Sequence, residues 1–145
     1  MDFAETCNIL WTDTIMNHRL PELRQALLDL HKALVDSERA NYEQVIGTIP
    51  SPNHFLQLLA RDPWFAWLHP LSQLIVSMDE ALDQKEPLTK GDVEALEKQT
   101  RLLLLVSETG DGMSKHYFDA LQRDPDVVLA HAAVTKLLGS RKGPA

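Results

Sequence analysis

Residues 20–46 read LPELRQALLDLHKALVDSERANYEQVI, and their spacing decides the fold class. Apolar side chains recur at Leu20, Leu23, Leu27, Leu30 with His31, Leu34, Tyr42 and Val45 with Ile46, while Glu38 falls on the same stripe. This period is close to 3.6 residues, the signature of one buried helix face; a strand would alternate. Gly47, Pro50 and Pro52 end the pattern, since proline lacks an amide hydrogen and clashes with the preceding turn.

Upstream, residues 2–16 predict a separate first helix with Phe3, Cys7, Leu10 or Trp11, and Ile15 on one face. Downstream, Ser51 or Asn53 can cap a short helix containing Phe55, Leu56, Leu58 and Leu59. Two tripeptides then punctuate the chain, Arg61-Asp62-Pro63 and Arg123-Asp124-Pro125, each followed by a histidine (His69 and His131) at the same spacing. Asp is a favoured N-cap and Pro suits the first helical position, so both predict helix starts. Their recurrence admits a duplicated helical hairpin, but the surrounding halves do not align, and helices need starts in any case.

The first tripeptide opens a helix with Trp64, Trp67, Leu68, Leu71, Leu74, Ile75, Met78 and Leu82; Pro70 inside it requires a kink near His69 or two pieces. Glu86-Pro87 ends it, and Thr89 with Asp92 forms a capping-box pattern for a helix over 90–107. Residues 102–106 of that helix are apolar all round, which predicts a central position. Residues 109–112 read as a turn, with Asp111 capping a helix that holds Met113, Tyr117, Phe118 and Leu121. The last helix directs Val127, Val128, His131, Val134, Leu137 and Leu138 inward. The expected architecture is all-α: an antiparallel helical bundle of four main helices with short accessory helices, one domain over 1–139, and a disordered tail over 140–145.

The formal net charge of -7 opposes nucleic acid and anionic membranes as partners, unless Arg61, Arg101 and Arg123 line one face. Cys7 is the single cysteine, which excludes an intrachain disulfide. The acidic N-terminus lacks a signal-peptide pattern, and no apolar run approaches a membrane span. A soluble cytoplasmic protein is expected.

Six histidines are the first candidates for chemistry, yet none lies three or four positions from another, and none follows a Glu by three. Paired helical metal ligands need those spacings, so a di-metal centre is disfavoured, and no metal or cofactor is expected. A mononuclear site assembled from different helices, such as His31, His131 and Glu38, stays open. Glu38 on an apolar stripe needs a partner, because an unpaired buried carboxylate is costly; Arg61, Arg101 and Arg123 are the candidates, and an interhelical ion pair is the favoured reading. Trp64-Phe65-Trp67 beside His69-Pro70 is the densest aromatic cluster. Trp64 and Trp67 share an α-helical face and Phe65 points away, so Phe65, with Val76, is a candidate for exposure. No P-loop, nucleophile elbow, zinc-protease or dinucleotide motif is present.

The stretches 51–59, 62–75 and 108–131 resemble a family of small bacterial proteins with no assigned activity. The resemblance implies a helical fold and carries over no functional residue. Two functional expectations follow. The leading one is a non-enzymatic protein-interaction domain that self-associates, with a homodimer or another protein as partner. The alternative is a ligand- or metal-binding bundle with a pocket lined by His31, Glu38, Tyr42, Trp67, His69 and His131. Arg61, Asp62, Arg123 and Asp124 are charge-pair candidates.

Overall fold

The structure is a computed structural model describing residues 3–110 and 112–140, with side chains described for 18–110 and 112–139. The expectations about Phe3 to Ile15, the Asp111 cap and the tail beyond residue 140 lie outside these described side chains. The fold is all-α, with six α-helices and no strand among the described residues.

Helix α1 spans Phe3–Val45. It is one helix where two are predicted, and it continues through Pro21. Leu20 and Leu23, on either side of that proline, are fully buried, and side-chain burial worth about 2 kcal/mol each offsets the cost of an interior proline. Leu27, Leu30 and Leu34 complete the stripe at full burial.

Helix α2 (Pro52–Arg61) starts at Ser51, whose hydroxyl accepts from the His54 amide at 3.1 Å. A 3-10 helix over Pro63–Leu68 follows, then α3 (His69–Asp83). The two-piece solution around Pro70 is therefore the one adopted, with Pro70 in the first turn of α3. The 3-10 segment corrects the aromatic reading. At three residues per turn, Phe65 and Leu68 eclipse each other, and both enter the core. Phe65, expected at the surface, is 0% exposed. Trp67 is also buried, and Trp64 is half-buried against Tyr42. Val76 is exposed as expected, and so is Leu82, which the periodicity places inside.

Helix α4 (Lys90–Leu103) begins with a reciprocal capping box: Thr89 Oγ1 accepts from the Asp92 amide at 3.0 Å, and the Asp92 carboxylate accepts from the Thr89 amide at 3.1 Å. It ends earlier than the apolar run suggests. The Leu104 amide turns back to the Thr100 and Leu102 carbonyls, after which the chain leaves helical geometry and successive side chains face different ways. Leu104 alone of the run is buried, while Leu102 and Leu105 are 59% and 63% exposed and Val106 is exposed as well. The expectation that 102–106 sits centrally is thus overturned.

Helices α5 (Gly112–Arg123) and α6 (Pro125–Ser140) close the fold. Helix α6 lies against α1 in the most extensive helix pair among the described residues, and α3 also packs on α1. Val127, Val134 and Leu138 face the core; Val128, expected inward, is exposed.

Candidate functional site

Both Arg-Asp-Pro segments are helix starts. Asp62 Oδ1 accepts from the Trp64 amide at 2.8 Å, and Asp124 Oδ1 accepts from the Asp126 amide at 2.9 Å. Each following histidine reaches back to the helix before the tripeptide. His69 Nε2 donates to the Leu59 carbonyl at 2.9 Å, and His131 Nδ1 meets the Tyr117 hydroxyl at 2.5 Å. The shared spacing therefore serves a helix-to-helix clasp in both places.

The other sequence candidates likewise take separate partners. His31 Nε2 bonds Ser72 Oγ at 2.9 Å, tying α1 to α3. Glu38, buried, accepts from Arg123 Nη2 at 2.8 Å, and the same guanidinium donates to Ser37 Oγ. The expected interhelical ion pair is present, with Arg123 as the partner. Tyr42 packs on Trp64 and Phe65, and Trp67 stacks on His116 with ring centroids 5.4 Å apart. Arg61 is exposed at the end of α2. The six pocket candidates are thus distributed over six different contacts. Among the described residues, no group of three or more His, Cys, Asp or Glu is placed to hold a metal ion, and no helix is long and apolar enough to cross a membrane.

Burial shifts three ionisable groups. It lowers the His31 and His131 pKa values and raises that of Tyr117, since desolvation disfavours the charged form of each. Both members of the Tyr117–His131 pair are therefore neutral at pH 7. The phenol and the imidazole thus share one hydrogen bond between neutral groups.

Sequence reading missed one buried pair. Glu97 is 1% exposed and is joined to Arg19, with its Oε2 lacking a partner among the described residues. The signal was available: Glu97 occupies the stripe of Val93, Leu96 and Thr100, all buried.

Of the six pocket candidates, His131 lines an apolar concavity. An open cleft of about 420 Å³ lies between the end of α4 and α6, lined by Arg101, Leu104, Leu105, Val106, His131, Thr135, Leu138 and Gly139. Arg101 Nη2 donates to the Leu138 carbonyl at 3.1 Å, and its buried Nε has no partner among the described residues. Thr135 Oγ1 donates to the Ala132 carbonyl at 3.1 Å. On α6 the exposed Val128 continues the row of His131, Thr135 and Leu138, three to four residues apart. Exposed Leu102 borders the same region in sequence. In comparisons with known proteins, no family model, curated protein or solved structure matches the chain.

Proposed function

We propose that this chain is a non-enzymatic interaction domain that receives a protein partner on the apolar face where α4 ends and α6 passes. The observation that carries this reading is the exposure of Leu102, Leu105 and Val106 beside an open cleft floored by Leu104 and Leu138. Solvent-exposed aliphatic groups adjoining a concavity mark a contact surface, because covering them removes apolar area from water. The candidate acids and bases support a binding role over a catalytic one. Glu38, His31, His69 and His131 each join one element to another through a hydrogen bond, which gives each a structural task.

The test uses a labelled amphipathic peptide of about three helical turns, with leucines on one face and glutamines on the flanks, followed by fluorescence anisotropy. The wild-type chain is expected to bind it, and Leu105→Gln with Val106→Gln to abolish binding without loss of helicity. Equal binding by both chains would remove this face from consideration. Sedimentation velocity on the same proteins reports whether a second copy of the chain uses the face.

A further inference from the structure

We infer that the partner segment is an acidic amphipathic helix, which lays its apolar side along the α4–α6 cleft and brings a carboxylate to Arg101. The inference rests on the interaction-domain reading and specifies the chemistry of its partner.

The shape comes first. On α6 the cleft runs from His131 to Gly139, about 12 Å at the helical rise, and exposed Val128 extends the same row beyond it. Leu104, Leu105 and Val106 form the facing wall. A trough of that length between a helix and an apolar wall fits a helix laid in a groove, read by side chains one turn apart. A small amphiphile in the cleft would leave Val128 and Leu102, both outside the cleft lining, uncovered.

Charge then selects among helices. The chain carries 21 acidic against 14 basic residues, yet among the described residues no carboxylate lines the cleft, and Arg101 is the ionised side chain there. A guanidinium has five N–H donors. Arg101 spends one on the Leu138 carbonyl, and its Nε is buried without a partner. His131, with Nδ1 engaged by Tyr117, adds a neutral imidazole to the lining. A cationic fork against aliphatic walls matches a carboxylate on the flank of an apolar helix. The overall charge of -7 would favour a basic peptide non-specifically, and at physiological salt it acts only within about 8 Å. A preference for acid therefore has to originate at the cleft.

Three peptides of identical apolar face, flanked by Glu, Gln or Lys, separate the ideas in anisotropy titrations. The Glu peptide is expected to bind about five-fold more tightly than the Gln peptide, the size of a good partly exposed ion pair, and the Lys peptide most weakly. Arg101→Gln should bring the Glu peptide to the Gln level, and Arg101→Lys should restore part of the difference. Equal affinity for all three, or a preference for Lys, overturns the inference and leaves the interaction-domain reading standing. Failure of every peptide to bind a monomeric chain overturns both. Displacement of the Glu peptide by octanoate at concentrations below the peptide's own Kd would assign the cleft to free amphiphilic acids. A dimer in sedimentation that Leu105→Gln dissolves and that excludes all three peptides would assign it to a second copy of the chain.

Discussion

Arg123, the last residue of α5, closes on Glu38, two turns before the end of α1, at 2.8 Å, across 85 positions of sequence. The carboxylate is buried and the arginine is one-third exposed. Arg123 also donates to Ser37, so one guanidinium satisfies two adjacent polar groups in a leucine-lined wall. The tripeptide Arg123-Asp124-Pro125 thus has divided labour: Arg fastens α5 to α1, and Asp and Pro start α6.

Arg123→Gln is expected to cost about 2 kcal/mol, because it strands a buried carboxylate. The figure stays below the roughly 3–5 kcal/mol typical of a fully buried pair, because the arginine is one-third exposed. Glu38→Gln should cost less, since a neutral amide remains able to accept from Arg123. Urea unfolding of both variants measures the order, and a larger loss in Glu38→Gln would contradict this account.

Acid should weaken the fold through His31 and His131. Burial holds both below their ordinary pKa of 6.5, so the unfolded chain binds protons that the native chain refuses. Stability is full above pH 6.5 and declines as the pH falls from there toward the native values. At the other extreme Tyr117, raised by burial, keeps its proton when the unfolded chain has lost it, so stability also falls as the pH rises above 10. Unfolding midpoints across the pH range check both limbs, and His131→Asn should flatten part of the acid limb.

Phe65→Ala and Val76→Ala form a contrast that isolates the 3-10 packing. Phe65 is fully enclosed and contacts the rings of Tyr42 and Phe55, so its truncation should cost about 3–5 kcal/mol. Val76 is half exposed and should change stability by less than about 0.5 kcal/mol. Thermal unfolding of the two variants distinguishes this geometry from a regular α-helix over the same residues, which would expose Phe65 too and bring both costs near zero.

Thr89→Ala removes one of the two reciprocal bonds at the start of α4 and is expected to cost about 1 kcal/mol. Thr89→Ser should recover most of it. Hydrogen exchange at the amides of the first turn of α4 is the local readout, and unchanged protection of Asp92 would argue against the cap.

Periodicity and capping chemistry made most of the fold legible. The leucine stripe from Leu20 to Leu34, the starts at Ser51, Asp62, Thr89 and Asp124, and the division at Pro70 all follow from local rules. Glu38 was legible as one half of an ion pair, and composition limited its partner to a few arginines. The failures share a cause. A 3.6-residue period misplaces Phe65, where the backbone has three residues per turn, and a helix over 90–107 misplaces Leu105 and Val106, where the backbone has already turned. Composition cannot report a change of backbone period, because the side chains are the same in either conformation. The α4–α6 cleft escaped notice for that reason: its wall is made of residues that hydrophobicity alone sends to the interior.

The pairing of the first helix with the last has a consequence for biosynthesis. Because α1 leaves the ribosome long before Val127, Val134 and Leu138 are made, its leucine face lacks one of its walls for several seconds at ordinary elongation rates. During that interval the nascent chain displays an amphipathic helix of the kind that holdase chaperones grip. Completion of α6 then acts as a release signal, so truncations or stalls within the last helix should send the chain to proteolysis rather than leave a smaller working domain.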